Sequence, residues 1–213
     1  MNDIERPSIG SALLEDGLLA IIRATSVAEA VRRGIALATG GVRVLEVSYT
    51  LADADEAIRA LTRELPPSVQ IGAGTVTTVA RVESATGAGA EFFVSPNRAR
   101  RAIRSTRGSG RPFYPGAVTP TEIVRSWEDG ASAVKVFPAG PAGPDYLSLV
   151  RDPLPHIPLI AVGGVTVDTA ERYLQAGAIA VGIGGGLAIE ANRLEDLVAQ
   201  LRAIRAERIG SAA

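Results

Sequence analysis

Short apolar runs alternate with segments of helical periodicity along almost the whole chain. Each run has the length of a strand buried on both faces, as in a parallel sheet. The eight predicted strands are Leu18–Ile22, Val42–Val47, Val69–Ala73, Glu91–Val94, Pro112–Tyr114, Ala133–Phe137, Pro158–Val162 and Ala178–Ile183. The helices predicted between and after them are Val27–Thr39, Asp53–Glu64, Val79–Ala88, Arg98–Arg107, Pro120–Asp129, Asp145–Val150, Val167–Ala176 and Leu194–Glu207.

The spacing of the strands indicates the architecture. Strand ends recur at intervals of about two dozen residues, which suits one strand–helix unit of a parallel sheet. Eight units in 213 residues predict an α/β protein, a (β/α)8 TIM barrel occupying residues 1–213 as a single domain, with a short helix over 8–16 covering its floor. An open doubly wound sheet is the alternative, but it normally has fewer strands and a dinucleotide fingerprint.

Composition and charge narrow the class of protein. The chain is 46% hydrophobic and 21% charged, with 22 basic and 23 acidic residues, so we expect a soluble domain without the positive field that binds nucleic acid. It has no cysteine and one histidine, so we expect no metal and no cofactor. The amino terminus lacks a signal pattern and no apolar stretch could span a bilayer, which predicts a cytoplasmic protein without membrane contact.

Lys135 is the only lysine of the chain. A codon bias towards arginine explains the general ratio of arginine to lysine, but it does not explain why one lysine remains. Residues 131–138 are mostly apolar and predict a buried strand, where an ammonium group is costly without a purpose. The amine of Lys135 is therefore a candidate functional group.

Polar residues gather at the predicted strand ends, where parallel barrels carry their active sites. Lys135 and Glu46 together suit Schiff-base chemistry, because a buried amine can lose its proton and attack a ketone while a carboxylate moves protons. A buried structural ion pair is the alternative interpretation. The candidates at this mouth are Arg23, Glu46, Ser48, Thr50, Thr75, Ser95, Lys135, Gly163, Gly164 and the glycines at 184–186.

Glycines follow the last two predicted strands. Gly163 and Gly164 come after the seventh strand, and glycines recur over 182–186 around the end of the eighth. Barrels often bind phosphate with backbone N–H groups of these two loops. Tight turns alone also favour glycine, so both interpretations stay open.

Six motifs in order along the chain resemble a known family, the class I 2-keto-3-deoxy-6-phosphogluconate (KDPG) and 4-hydroxy-2-oxoglutarate (KHG) aldolases. The resemblance runs from about Leu18 to Leu187 and implies a homotrimeric carbon–carbon lyase that releases pyruvate from a 2-keto-4-hydroxy acid. For the six-carbon phosphate, the other product is glyceraldehyde 3-phosphate. The motifs are Val44-Leu45-Glu46-Val47, Ile71-Gly72-Ala73-Gly74-Thr75-Val76, Phe93-Val94-Ser95-Pro96, Tyr114-Pro115-Gly116, Val134-Lys135-Val136-Phe137-Pro138 and Ala161-Val162-Gly163-Gly164-Val165.

The resemblance also implies roles for single residues. Lys135 is the implied Schiff-base lysine, Glu46 the acid and base, and Thr75 a ligand of the pyruvyl carboxylate. Phe137 is implied as part of the pocket wall. The implied phosphate subsite consists of the backbone at Gly163, Gly164, Gly185 and Gly186.

Three departures from the family pattern concern the substrate. Thr50 stands where some members have an arginine, and Arg23, at the end of the first strand, fits a second pattern that supplies a bidentate carboxylate ligand. Val162 replaces a threonine of phosphogluconate-type members and is similar to phosphogalactonate-type members. Gly186 replaces a serine of the phosphate subsite. A 2-dehydro-3-deoxy-6-phosphogalactonate aldolase is therefore the main alternative. A non-aldolase sugar-phosphate barrel enzyme and a phosphometabolite-binding protein are further alternatives that the sequence favours less.

Overall fold

The computed structural model describes residues 6–187 and 191–210. Within these ranges the structure has nine strands and nine α-helices, which alternate except that β5 and β6 follow each other directly, and every strand pair is parallel. The strands are β1 Leu18–Ile22, β2 Val44–Ser48, β3 Gln70–Gly74, β4 Phe93–Val94, β5 Phe113–Tyr114, β6 Gly116–Ala117, β7 Val134–Val136, β8 Leu159–Val162 and β9 Ala180–Ile183. The helices are α1 Ser11–Asp16, α2 Val27–Thr39, α3 Ala54–Glu64, α4 Val79–Ala88, α5 Arg100–Ser105, α6 Pro120–Glu128, α7 Gly143–Arg151, α8 Val167–Gln175 and α9 Ala191–Gly210.

The sheet becomes a barrel at Pro115. Its strand order is β5-β4-β3-β2-β1-β9-β8-β7-β6, and the two terminal strands are separated in sequence by this one residue. Proline has no N–H to donate to a neighbouring strand, so the segment changes partners there. Phe113 pairs with Phe93 on one side, and Gly116 pairs with Lys135 on the other. The predicted barrel is confirmed, with β6 as a piece that the predicted fifth strand did not include.

Two separate apolar clusters form because successive side chains of each strand point to opposite faces. In β2, Leu45 and Val47 belong to the cluster between the sheet and the helices, whereas Val44 belongs to the cluster inside the barrel. The inner cluster contains Leu19, Ile21, Val44, Phe92, Val94, Tyr114, Ala133, Ile160, Val162 and Ala180. Alternate residues of a strand share a face, so Glu46, two residues after the inward-facing Val44, also faces the interior.

The short amino-terminal helix closes the floor of the barrel, as the sequence predicts. Helix α1 begins at Ser11, later than predicted, after Gly10, which provides no side-chain cap. Ala12 and Leu13 are part of the inner cluster. Gly10 lies against Gln70 at the start of β3, so this segment occupies the amino-terminal ends of the strands.

The helix boundaries differ from the sequence prediction where the chain has no strong cap. Helix α6 begins as predicted because Thr119 and Glu122 form a complete capping box. Helix α2 begins after Ser26, whose side chain accepts a hydrogen bond from the N–H of Glu29 at 3.2 Å. Helix α5 is shorter than predicted and lacks a side-chain cap at Ala99, and α9 is longer.

Two helical glycines provide a stability test of this packing. An added Cβ at Gly87 in α4 meets nothing within 4 Å, whereas at Gly34 in α2 it would lie 2.5 Å from a methyl of buried Leu61. Gly87→Ala should raise the free energy of unfolding by about 0.5–1 kcal/mol, because alanine loses less entropy in a helix. Gly34→Ala should lower it by about 1–3 kcal/mol through overpacking.

Denaturant unfolding of the two variants beside the parent chain measures this difference. The packing described for α2 would be wrong if Gly34→Ala were as stable as Gly87→Ala.

Candidate active site

Lys135 and Glu46 face each other across the barrel interior. They lie on β7 and β2, which occupy opposite sides of the closed sheet. Both are almost fully buried, with 4% and 2% of their surface exposed. Among the described residues they form no direct ion pair within 4.0 Å. Oε2 of Glu46 is buried without a hydrogen-bond partner in the described chain. Buried polar atoms are usually paired, so an unpaired carboxylate oxygen calls for an explanation.

The position of Glu46 depends on a glycine in the neighbouring strand. Ser48 of β2 pairs with Gly74 of β3, and a Cβ added at Gly74 would lie 1.8 Å from Oε1 of Glu46. Since no side chain fits there, Gly74 provides the space for the carboxylate. The sequence motif included Gly74, but only the structure explains the residue type.

Burial shifts both groups towards their neutral forms. It raises the pKa of Glu46, and the positive charges of Lys135 and Arg23 oppose that rise. Burial lowers the pKa of Lys135, the carboxylate of Glu46 acts in the opposite direction, and Arg23 lowers it further. An amine with a lowered pKa is a better nucleophile near neutral pH.

Arg23 follows β1 and reaches the same region from an exposed position. Its charge influences both Lys135 and Glu46. The carbonyl of Arg23 accepts a hydrogen bond from Nη1 of Arg33 at 2.7 Å, which ties the strand end to α2. The guanidinium is therefore a cation close to the buried amine and carboxylate.

Thr75 directly follows β3 and has an unusual backbone. Its φ is +61°, in the left-handed region that a β-branched residue rarely adopts, at a cost of about 1–3 kcal/mol. Nη1 of Arg81 donates to the Thr75 carbonyl at 2.8 Å, and Oγ1 of Thr75 lies 3.0 Å from Oγ of Ser48. Strain of this kind is typical of functional positions.

Arg81 is a residue that the sequence did not single out. It lies in the first turn of α4, one of 21 arginines, and its guanidinium also lies 5.4 Å from the ring centre of Tyr49. Its place in the first turn of the helix that follows a mouth-facing strand is the only sequence signal for it. Ser95, a predicted mouth residue, is instead buried and donates to the carbonyl of Asn97.

The loops after β7 and β8 contact each other beside Lys135. The ring centre of Phe137 lies 4.7 Å from Nζ of Lys135, and a Cβ added at Gly163 would lie 2.8 Å from that ring. The N–H of Gly140 donates to the carbonyl of Gly163 at 2.7 Å. Gly163 and Gly164 both have positive φ, so glycine is required by the turn itself.

Val162 and the last glycines occupy the neighbouring part of the mouth. Val162 is buried at the end of β8 and pairs with Gly182 of β9, where an added Cβ would lie 2.7 Å from a Val162 methyl. Gly185 and Gly186 lie in a short 3₁₀ turn over Gly185–Leu187. This turn and the loop of Gly163 and Gly164 thus follow two adjacent strands, β9 and β8.

The described residues provide no alternative centre for metal chemistry. In 6–187 and 191–210, no group of three or more histidine or acidic side chains could hold a metal ion. No helix in the same ranges combines the length and apolar character that a bilayer crossing requires.

A closed parallel barrel with an amine and a carboxylate buried near its carboxyl mouth is the arrangement of a barrel enzyme with Schiff-base chemistry. A family model described as KDPG and KHG aldolase matches residues 9–203. The chain therefore belongs to the KDPG and KHG aldolase family, and it is a carbon–carbon lyase. The predicted family and enzyme class are confirmed.

Individual relatives agree with this assignment. A 2-dehydro-3-deoxy-phosphogluconate aldolase of Treponema pallidum (strain Nichols) is 36% identical over 168 residues, which cover 78% of this chain and 80% of that protein. A 2-dehydro-3-deoxy-6-phosphogalactonate aldolase of Escherichia coli (strain K12) is 32% identical over 171 residues, 80% of this chain and 83% of that one.

A solved KDPG aldolase from Legionella pneumophila, with pyruvate captured at low pH as a covalent carbinolamine intermediate, has 26% identity and a TM-score of 0.77. The match covers 91% of this chain and 96% of that chain. The barrel of this protein is therefore shared with its relatives over nearly its full length.

The electrostatics of the buried pair predict a pH signature. At subsaturating pyruvate, the rate of imine formation should rise with pH through the lowered pKa of Lys135, because only the neutral amine attacks. Arg23→Gln removes a charge that lowers this pKa, so the rising limb should move to higher pH. Glu46→Gln removes a charge that raises it, so the limb should move to lower pH.

Borohydride trapping at a series of pH values measures the limb separately from the maximal rate. Shifts in the same direction for the two variants would contradict this electrostatic description of the site.

Proposed function

We propose that this chain is a Schiff-base aldolase that cleaves a 2-keto-3-deoxy sugar-acid phosphate of the 6-phosphogluconate type to pyruvate and an aldehyde. The aldehyde is glyceraldehyde 3-phosphate for the six-carbon substrate, and 4-hydroxy-2-oxoglutarate is a second expected substrate. The observation that carries the proposal is that the chain's one lysine is buried facing the buried Glu46 without a direct ion pair. Family membership and the carbinolamine captured in the Legionella relative support it.

Lys135 is the nucleophile of the proposed cycle. Its neutral Nζ adds to the C2 carbonyl of the keto acid and gives a carbinolamine, which loses water to become an iminium ion. The C3–C4 bond then breaks, and its electron pair moves to C3 and the iminium to form an enamine. The enamine takes a proton at C3, and water hydrolyses the imine, which releases pyruvate and regenerates the amine.

Glu46 moves the protons in this cycle. Its protonated form donates to the hydroxyl that leaves the carbinolamine as water, and its carboxylate accepts the C4 hydroxyl proton as the bond breaks. Its raised pKa suits both tasks, because the two forms of the carboxyl group are then closer in free energy near neutral pH. The absence of a direct bond to Lys135 leaves space for the reacting carbons between the two groups.

Arg23 and Thr75 hold the carboxylate in this proposal. Arg23 is a cation close to the amine, and guanidinium binds carboxylate in a bidentate manner. Phe137 forms the wall beside Nζ. The backbone of Gly163, Gly164, Gly185 and Gly186 binds the phosphate, since the loops after β8 and β9 are adjacent and rich in glycine.

A 2-dehydro-3-deoxy-6-phosphogalactonate aldolase is the second candidate. Val162 favours it, because a valine cannot donate the hydrogen bond that a threonine gives near C4. The Escherichia coli relative with this activity supports it as well. The two substrates differ in configuration at C4, so the side chain of Val162 is the expected determinant.

The proposal includes a homotrimer in the cytoplasm that takes no cofactor. The family resemblance is the support for three subunits. Leu149 on α7 is 70% exposed, and such a large apolar side chain is a candidate for burial between subunits. The mass of the particle in solution, measured by sedimentation equilibrium, tests the trimer.

Reduction with borohydride in the presence of pyruvate should leave a stable adduct on the peptide that contains Lys135. Lys135→Arg keeps the positive charge but removes the nucleophile, so it should lose the adduct and at least about 10³-fold in turnover. Gly87→Ala is the matched control, because its site is remote and open. An active enzyme with unmodified Lys135 would exclude the mechanism.

A substrate panel distinguishes the two candidate activities. We expect cleavage of both C4 epimers of the six-carbon phosphate, with Val162→Thr raising the preference for the phosphogluconate-derived epimer by about 5–10-fold, the value of one hydrogen bond. The measurement is kcat/KM for each epimer by coupled detection of pyruvate. Equal effects of the substitution on both epimers would remove Val162 as the determinant.

A further inference from the structure

Three hydroxyl groups form a connected chain at the mouth, from Thr50 through Ser48 to Thr75. Oγ1 of Thr50 donates to Oγ of Ser48 at 3.1 Å, and the backbone N–H of Thr50 donates to the same oxygen at 3.3 Å. Oγ of Ser48 lies 3.0 Å from Oγ1 of Thr75. Ser48 is buried, with 1% of its surface exposed, so its hydroxyl relies on Thr50 and Thr75 for hydrogen bonds.

The two hydrogen bonds that Thr50 donates to Ser48 give this chain its direction. A hydroxyl oxygen accepts two hydrogen bonds and donates one. Both acceptor positions of Ser48 are used by Thr50, and the N–H of Thr50 can only donate. The proton of Ser48 is therefore directed to Oγ1 of Thr75. In the described chain Thr75 Oγ1 has no other hydrogen-bond partner, so its own proton remains available.

We propose that Ser48 and Thr50 are positioning residues that orient the hydroxyl of Thr75 as a hydrogen-bond donor towards the carboxylate of the keto acid. The inference rests on the proposed function, in which Thr75 binds that carboxylate. Neither Ser48 nor Thr50 contacts the substrate in this arrangement. Thr50 therefore acts on the substrate carboxylate indirectly, through Ser48 and Thr75. It stands at a position where some family members have an arginine.

The surrounding structure keeps the chain of hydroxyls in place. The N–H of Leu51 donates to the carbonyl of Ser48 at 3.0 Å, which closes a turn and fixes the N–H of Thr50 against Ser48. On the other side, Arg81 holds the carbonyl of Thr75 in its strained conformation. The backbone carbonyls at both ends of the Ser48–Thr75 contact thus accept hydrogen bonds that hold them in place, as a positioned donor requires.

Pyruvate and acetone, trapped on Lys135 with borohydride, test the proposal. Both ketones form an imine, but only pyruvate has a carboxylate. Thr50→Val removes one donor to Ser48 and allows its proton to turn away from Thr75. We expect the half-saturating pyruvate concentration to rise about fivefold, the scale of one hydrogen bond, while the acetone value stays within about 1.5-fold.

Three further variants separate orientation from general damage. Thr50→Ser keeps the hydroxyl and should bind pyruvate within about twofold of the parent chain. Ser48→Ala removes the link itself, so adding Thr50→Val to it should have no further effect. Thr39→Val, which removes an exposed hydroxyl on α2, is the matched control and should change neither ketone.

The outcomes are distinct. A rise for pyruvate alone, with non-additive double substitution, supports the chain of hydroxyls. An unchanged pyruvate value in Thr50→Val, equal rises for both ketones, or additive effects of Ser48→Ala and Thr50→Val would overturn it. If the parent chain formed an adduct with neither ketone, the proposed function would itself be wrong, and this inference with it.

Discussion

The burial of one amine and one carboxylate inside the same barrel, without a bond between them, is the constraint on which the site depends. Taking either charge out of water is costly, and a direct ion pair would have been the simplest compensation. Here Lys135 and Glu46 are close enough to influence each other's pKa but do not meet. Burial therefore favours their neutral forms, and in the proposed cycle the neutral amine is the nucleophile.

Much of this arrangement could be predicted from the sequence. Parallel strands leave a strong signal, because they are apolar on both faces and recur with a regular spacing. Lys135 was identifiable as a lone lysine among arginines in an apolar run, and Glu46 as a charge inside a strand. The strand bounds differ by a few residues where turn chemistry competes, as at Pro115, where the chain changes partners rather than ending the sheet.

The contacts between loops could not be predicted. They join residues far apart in the chain, and they depend on interatomic distances that no periodicity or motif of the sequence encodes. Gly74 appears in sequence as part of a glycine-rich motif, and only the distance to Glu46 shows that its missing side chain is the space for a carboxylate. Arg81 appears as one surface arginine among many. Arg81 matters because it donates a hydrogen bond to the carbonyl of Thr75, whose backbone is strained. The residue type at position 75 does not reveal that strain.

The plug formed by α1 has a consequence for the timing of the proposed cycle. Ala12 and Leu13 pack into the inner apolar cluster at the amino-terminal end of the barrel, so the proposed cycle takes its substrate from the loop end. The entrance for the keto acid is then also the exit for the aldehyde and the path for the water that frees pyruvate. In the proposed cycle, an aldehyde that still occupies that passage keeps water from the carbon bound to Lys135, so the enamine recombines with the aldehyde more readily than pyruvate is released.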